Sequence, residues 1–254
     1  MYHWSIVEEV YLYDGTLEGL LTIAYKCFKE KKIPSNVVKE KEYVQNLLDI
    51  PVVVPTNLDD SQYIVNMIRD RISDFTLYYV YTAFLSGNKK KELPILHYII
   101  YAFKHGKRVN FMKSIDCVIE VQRLCQNVKY EAHRFSGFIR FAQMSNNFLY
   151  AEYESDNDIL EFLADHFSSR LSQEIWMIHD KGRMRIALYN RKEFIVVDST
   201  TMDLSMVENE KEDEYLKLWK DYFKNIAIKE RENKRCQRSF MPKKYWKYLP
   251  ETQE

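Results

Sequence analysis

Residues 131–141 read Glu-Ala-His-Arg-Phe-Ser-Gly-Phe-Ile-Arg-Phe, and they separate a helix-like first half of the chain from a strand-like second half. In an extended segment, alternate side chains lie on the same face. One face of this segment would carry Arg134, Phe138 and Arg140. The opposite face would carry Phe135, Ile139 and Phe141. The pattern therefore predicts a strand with an apolar core face and a basic, aromatic outer face that suits an anion.

Upstream of this stretch the patterns are mainly helical. Val10–Tyr13 predicts a short strand, Asp14-Gly15 predicts a turn, and Thr16 is placed to cap a helix with a 3.6-residue apolar period. Residues 29–42 are charged and predict a loop. Further helices are predicted over residues 43–48, 59–85, 93–105 and 111–130.

Downstream of the same stretch the spacing changes to short strands. Residues 138–143 and 148–153 predict a hairpin whose register places Arg140 opposite Glu152. After a helix that begins near Ile159, three further strands are predicted over residues 175–179, 185–189 and 193–197. Strands grouped in this way favour an α+β fold: a mainly helical N-terminal half, then a small antiparallel sheet with packed helices and a basic-aromatic C-terminal tail.

The change of pattern predicts two regions, a mainly helical one over 1–128 with an N-terminal strand and an α+β one over 129–254. One compact unit is the alternative. Lys plus Arg and Asp plus Glu each number 37, so the chain as a whole has no basic field that would attract nucleic acid. The start of the chain does not resemble a secretory signal, and no stretch has the length of a membrane span. The four cysteines show no CxxC spacing, which favours reduced thiols in the cytoplasm.

The strongest local charge lies near the end of the chain. Residues 227–249 hold eight Lys or Arg against two Glu, interleaved with aromatic residues. Cations neutralise phosphates and aromatic rings stack on exposed bases, so this tail predicts a nucleic-acid contact. Its candidate residues are Arg231, Arg235, Arg238, Lys243, Lys244, Tyr245 and Trp246. The alternative is a charged extension whose aromatic side chains pack onto the rest of the protein.

Acid–base chemistry has four candidate residues. They are His133, His179, Asp180 and Asp14. His133, next to Arg134, and His179, next to Asp180, lie at expected strand edges, and Asp14 lies at the end of the first expected strand. The alternative for each histidine is a structural hydrogen bond. No paired-histidine spacing, phosphate-binding loop or nucleophile elbow is present, so no metal and no cofactor are expected.

Four stretches resemble a bacterial family of DNA metabolism or repair proteins that contains a conserved domain of unknown function. They are residues 13–21, 131–141, 176–180 and 238–249, the last of which reads Arg-Ser-Phe-Met-Pro-Lys-Lys-Tyr-Trp-Lys-Tyr-Leu. The resemblance implies that this domain covers about the last two thirds of the chain. It also implies a neighbouring gene for a radical-SAM protein of DNA repair or modification, and in some members a fused uracil-DNA glycosylase domain. This chain lacks the glycosylase portion and the three-cysteine motif of radical-SAM enzymes.

The resemblance and the basic tail together lead us to expect a cytoplasmic DNA-binding accessory of a DNA repair system, with a radical-SAM protein as its partner. An enzyme acting on damaged DNA, of hydrolase or glycosylase type, is a second expectation and would use the four acid–base candidates. A protein-interaction module without a nucleic-acid role is the third.

Overall fold

The computed structural model describes residues 4–144, 148–201 and 233–249. The chain divides into two compact units, Met1–Val128 and Lys129–Glu254. The described residues mix helices and strands, with helices prevailing in the first half, so the predicted α+β class is confirmed. No helix in these ranges is both long enough and apolar enough to cross a membrane.

Three parallel strands form the sheet of the first unit. They are β1 (Ser5–Tyr13), β2 (Lys32–Lys39) and β3 (Ile50–Val53), in the order β2-β1-β3. The strand predicted at Val10–Tyr13 is confirmed as the buried end of β1. The apolar run falls in β1 because this strand has a neighbour on each side.

The loop expected over residues 29–42 and the helix expected over 43–48 are both wrong. Residues 32–39 form the edge strand β2, and residues 43–48 are not helical. Edge strands accept proline and polar side chains because one side has no ladder partner. Pro34 and the exposed polar residues that follow it therefore concealed this strand.

Four helices accompany the parallel sheet: α1 (Leu17–Glu30), α2 (Leu58–Arg71), α3 (Asp74–Phe84) and α4 (Glu92–His105). Thr16 caps α1 as predicted, because its hydroxyl oxygen accepts a hydrogen bond of 3.0 Å from the amide of Gly19. The single helix expected over 59–85 is two helices, since Ser73 interrupts it and caps α3 through the amide of Thr76 at 3.2 Å.

Helix α5 spans Asp116–Phe138, and the boundary between the two units falls within it. The strand expected over residues 131–141 is therefore wrong, because the helix that was expected to end near Tyr130 continues through most of it. Val128, Ala132 and Phe135 are buried at steps of four and three, which is a helical period. The same aromatic residues also fit an alternating pattern, and the helical one prevails because it continues the buried face of α5.

Five strands form the sheet of the second unit, in the order β4-β5-β6-β7-β8. They are β4 (Ala142–Gln143), β5 (Leu149–Tyr153), β6 (Trp176–Asp180), β7 (Arg185–Tyr189) and β8 (Phe194–Asp198). Strands β6, β7 and β8 confirm the predicted last three strands and pair antiparallel. β4 pairs antiparallel with β5 as predicted, but it covers only Ala142–Gln143 of the strand expected over 138–143. Arg140 therefore lies before β4 and not opposite Glu152 in the sheet, because α5 continues to Phe138. The pairing of β5 with β6 is parallel, because helix α6 (Leu160–Arg170) carries the chain back between them.

Helix α6 packs its buried residues against one face of this sheet, where the rings of Phe141 and Phe167 lie 5.0 Å apart and those of Trp176 and Tyr189 stack at 5.0 Å. The last described part, residues 233–249, is named the closing segment here. It contains helix α7 (Lys234–Phe240) and a 3₁₀ helix over Lys243–Tyr248 that starts after Pro242. The sequence also predicts an acidic stretch that leads into an amphipathic helix over residues 208–223, and these residues lie outside those that the structure describes.

Candidate nucleic-acid interface

Tyr245 anchors the closing segment to the rest of the second unit. Its ring is buried, with the ring centroids of Phe135 at 4.8 Å and Phe138 at 6.1 Å. Its hydroxyl donates a hydrogen bond of 2.7 Å to Glu131 Oε1. Burial, and then the neighbouring Glu131 carboxylate, raise the pKa of Tyr245 far above its ordinary value. The side chain is thus a neutral, buried anchor and has no face left for a base.

Glu131 is the acceptor on which this anchor depends. The residue is 6% exposed. Besides Tyr245, its carboxylate accepts hydrogen bonds from the amide of Asp156 at 3.0 Å, the amide of Asn157 at 2.8 Å and the side-chain nitrogen of Asn157 at 2.6 Å. One buried carboxylate therefore joins α5, the loop after β5 and the closing segment.

The closing segment carries two further attachments, both ionic. Lys244 pairs with Asp156, and Lys247 pairs with Glu154 at 2.7 Å. The hydroxyl of Tyr248 also donates to Glu154 at 2.8 Å, and the hydrogen bonds from Lys247 and Tyr248 hold the pKa of the Glu154 carboxyl below its ordinary value. These residues bear out the packed-extension alternative for this part of the tail, since Lys244 and Lys247 already face carboxylates.

Three further cations of the closing segment face outward. Arg235, Arg238 and Lys243 are exposed, and within the described ranges none of them forms an ion pair. Phe240, at the end of α7, is 69% exposed. The ammonium of Lys243 lies 5.8 Å from the ring centroid of Trp246, whose indole nitrogen donates to the carbonyl of Met241 at 2.9 Å. Arg231 lies outside the described residues.

The basic and aromatic residues expected on one face of a strand lie instead on and just after α5. His133 and Arg134 are exposed on the helix, and Phe138 is its last residue. Arg140 follows the helix, and its guanidinium donates to the carbonyls of Gly137 at 2.6 Å and Ile139 at 3.2 Å. A cation at this position satisfies carbonyls that the end of the helix leaves open.

Two of the predicted stretches do come together. The ring of Phe138 lies beside that of Tyr245, and the charge of Arg134 acts on the Tyr245 hydroxyl strongly enough to oppose the rise in its pKa. The end of α5 and the 3₁₀ helix of the closing segment are therefore neighbours. Exposed Arg134 can add to a surface whose other cations lie in the closing segment.

His179 and Asp180 point to opposite faces of the sheet because they are adjacent in β6. His179 is 4% exposed, and its Nδ1 lies 3.1 Å from the hydroxyl of Tyr150. Burial lowers the pKa of His179, the charge of Lys181 lowers it further, and Glu152 and Asp180 oppose the change. This environment holds a neutral imidazole away from solvent.

Asp180 is fully buried and holds the turn between β6 and β7. Its carboxylate accepts from the amides of Gly182 at 3.0 Å and Arg183 at 3.1 Å, from the Arg183 guanidinium at 3.2 Å and from the hydroxyl of Tyr153 at 3.3 Å. Burial raises the pKa of this carboxyl, and Arg183 opposes the rise. All four contacts are those of a structural carboxylate.

The carboxylate of Asp14, in the first unit, also accepts several hydrogen bonds within the protein. Its carboxylate accepts from the amide of Thr16 at 2.9 Å, from the Thr16 hydroxyl at 2.7 Å and from the Thr56 hydroxyl at 2.8 Å. Partial burial raises its pKa, but these hydrogen bonds outweigh burial and hold the pKa below its ordinary value. Asp14 thereby ties the turn before α1 to the segment that follows β3.

Sequence reasoning missed Glu131, Glu154 and Asp156 as the partners of the closing segment. A signal existed for Glu131 alone, because a carboxylate three residues after Val128 and four before Phe135 falls on the buried face of α5. No group of three or more His, Cys, Asp or Glu in the described ranges is arranged to hold a metal ion.

Comparison with known families identifies a domain of unknown function, DUF4130, over residues 89–251. The match includes α4, α5, the second unit's sheet and the closing segment, and it agrees with the resemblance noted from the sequence in placing such a domain over about the last two thirds of the chain. A search of the curated proteins found no match. Since the matched residues make up more than half of the chain, the protein belongs to the DUF4130 family.

Proposed function

We propose that this protein is a DNA-binding accessory of a bacterial DNA repair or DNA metabolism system. The observation that supports the proposal is the division of the closing segment into two parts. Tyr245, Lys244 and Lys247 attach it to the second unit, whereas Arg235, Arg238 and Lys243 face outward. A segment that is anchored on one side can present its cations in a fixed arrangement, which lowers the entropy lost on binding.

The exposed part of the segment has the chemistry that a single strand needs. Arginine and lysine neutralise phosphates, and the exposed ring of Phe240 and the half-buried ring of Trp246 offer surfaces on which bases stack. Arg134, next to Tyr245, would extend the cationic surface along α5. The interface so defined consists of Arg134, Arg235, Arg238, Phe240, Lys243 and Trp246.

The proposed partner is a radical-SAM protein that acts on DNA. The support for this partner is the resemblance of the closing motif and three other stretches to a family whose genes accompany such a protein. In this role the protein holds DNA while its partner performs the chemistry, and it works in the cytoplasm, where its four free thiols would stay reduced.

The test is fluorescence anisotropy with labelled single- and double-stranded DNA over a series of salt concentrations. The informative variant replaces Arg235, Arg238 and Lys243 by Ala. We expect salt-sensitive binding by the wild type, and a slope of log affinity against log salt that is smaller by about 2–3 in the variant, because each lost phosphate contact removes about 0.7–0.9.

The matched control replaces Arg108, Arg170 and Lys192 by Ala, which removes two arginines and one lysine from exposed positions without ion pairs among the described residues. The control is expected to bind as the wild type does. Equal loss of binding in both variants would mean that the change in net charge, and not the position of the three cations, weakens DNA binding. No binding to either form of DNA at low salt would reject the proposal and favour a protein-interaction module.

A further inference from the structure

The first unit contains a cavity of about 560 Å³. Its walls come from the second half of α1, from α2, from the end of α4, from the start of β2 and from Trp4, which precedes β1. This volume falls in the range of about 300–1,000 Å³ that is usual for sites of small organic ligands. The cavity is named the aromatic cavity here, after the six aromatic residues that line it: Trp4, Tyr25, Phe28, Tyr63, Tyr101 and Phe103.

The aromatic walls hold one another in place. The ring of Phe28 lies edge-on to Trp4 at 5.1 Å and to Phe103 at 4.6 Å, and Tyr25 lies edge-on to Tyr63 at 5.6 Å. Tyr63 is 52% exposed, so its ring faces solvent on one side. Rings fixed in this way offer flat surfaces to a planar ligand without first having to be ordered.

The charged residues that line the cavity are all cations: Lys29, Lys31, Arg71 and Lys104. All four are exposed, and within the residues that the structure describes none of them forms an ion pair. The ammonium of Lys104 lies 6.0 Å from the ring centroid of Tyr101, so cation and aromatic surface adjoin. No Asp or Glu lines the cavity.

Helix ends account for part of this charge but not for all of it. Lys29, Arg71 and Lys104 lie in the last turns of α1, α2 and α4, where a cation complements the helix dipole. Each helix end carries roughly half a negative charge, so three ends offset about 1.5 of the four positive charges. Lys31 lies beyond the end of α1. The cavity mouth keeps an excess of positive charge for an anion.

We propose that the aromatic cavity binds a nucleotide, that is, a planar heteroaromatic base that carries a phosphate group. The base would stack on the aromatic walls, and the phosphate would bind the lysines and Arg71 at the mouth. A free nucleotide and the phosphorylated end of a single strand share this chemistry. The site lies within the first unit and uses no residue of the closing segment, so it stands or falls independently of the proposed DNA contact.

Isothermal titration calorimetry of the whole chain tests the proposal. The ligands are the four deoxynucleoside 5′-monophosphates, the matching nucleosides, inorganic phosphate, and a short single-stranded oligonucleotide with and without a 5′-phosphate. We expect the nucleotides to bind more tightly than either the nucleosides or phosphate. Binding of free nucleotides assigns the cavity to soluble nucleotides, and binding of the phosphorylated oligonucleotide alone assigns it to a strand end.

Two variants and a control locate the binding. Lys29→Ala with Lys104→Ala should weaken nucleotide binding by about tenfold or more, the size expected when a hydrogen bond to a charged group is lost. Tyr63→Ala, at the exposed rim, should weaken binding of nucleotides but not of phosphate. Lys89→Ala with Lys90→Ala removes the same charge from an exposed loop of the first unit and should change nothing.

Three results would overturn the assignment: no binding of any nucleotide or phosphorylated strand, phosphate bound as tightly as nucleotides, or equal weakening in the control. Circular dichroism of each variant checks that the protein is folded, so that loss of binding is not loss of structure.

Discussion

Glu131 shows how one buried carboxylate can organise a whole segment. Four hydrogen-bond donors, three from the loop after β5 and one from the closing segment, converge on its two oxygens. If this buried side chain lost its charge, it would offer too few lone pairs to the donors around it. A buried donor left without an acceptor costs more free energy than the loss of an exposed contact.

The change Glu131→Gln tests this role. We expect the free energy of unfolding to fall by about 1–3 kcal/mol, because the amide group replaces one acceptor oxygen by a donor that points at other donors. Urea unfolding followed by circular dichroism measures the change. Glu174→Gln, at an exposed position, is the control and should alter stability by less than about 0.5 kcal/mol. Similar losses of stability for both substitutions would contradict the structural role of Glu131.

His179 makes stability depend on pH. Its folded pKa lies below its ordinary value of about 6.5, so the unfolded chain binds a proton that the folded chain does not. The contribution to stability is complete above pH 6.5 and is lost as the pH falls toward the folded pKa, with a slope of up to about 1.4 kcal/mol per pH unit.

We therefore expect wild-type stability to decline as the pH falls from about 7.5 to 5, and to decline less steeply in His179→Gln. Urea midpoints at several pH values measure both slopes. The pKa values of His97 and Asp180 are also shifted, but both residues are present in each protein, so they cancel in the comparison. Identical slopes in the two proteins would contradict the buried, neutral imidazole.

At the scale of the element, two glycines in helices should respond oppositely to the same change. A Cβ at Gly19, in the first turn of α1, would clash with the Asp14 carboxylate and lie 2.9 Å from the Thr56 hydroxyl oxygen and 3.0 Å from the ring of Tyr13. A Cβ at Gly137, in the last turn of α5, would meet nothing within 4 Å.

We expect Gly19→Ala to destabilise the protein by about 1–3 kcal/mol, because the new methyl group displaces the side chains that tie the turn before α1. Gly137→Ala should stabilise it by roughly 0.5–1 kcal/mol, since alanine restricts the unfolded chain and suits a helix. Urea unfolding of both variants measures the signs. If Gly19→Ala were also stabilising, the close approach of Asp14 and Thr56 would be disproved.

The elements differed in how far sequence could predict them. Strands β6, β7 and β8 were predicted closely because their turns and apolar runs point to the same structure. The structure of residues 131–141 was predicted wrongly, since Phe135 and Ile139 fit the pattern of a strand as well as that of a helix. The helix forms because these residues continue the buried face of the preceding turns of α5. In the closing segment the sequence showed the cations, but it could not show that Lys244 and Lys247 face carboxylates of a distant loop.

At the scale of the whole molecule, a net charge of zero coexists with two cationic surfaces, one in each unit. In the first unit, positive side chains surround the mouth of the aromatic cavity, and in the second they lie along the closing segment. Local fields of this kind act over about a Debye length, roughly 8 Å at physiological salt, so in both proposals an anion would be attracted by the charges next to it and not by the net charge of the chain. A net charge of zero therefore does not argue against either proposal.

The thiols also differ across the molecule. Cys27, Cys117 and Cys125 are buried, and burial raises the pKa of Cys27 to about 12 and of Cys117 to about 11, whereas Cys236 is exposed in α7 between Arg235 and Arg238. Thiol reagents attack through the thiolate, so they reach Cys236 first in the folded protein. A fluorophore attached there would lie within the proposed DNA contact, so the native sequence already offers a labelling site with which strand binding can be tested.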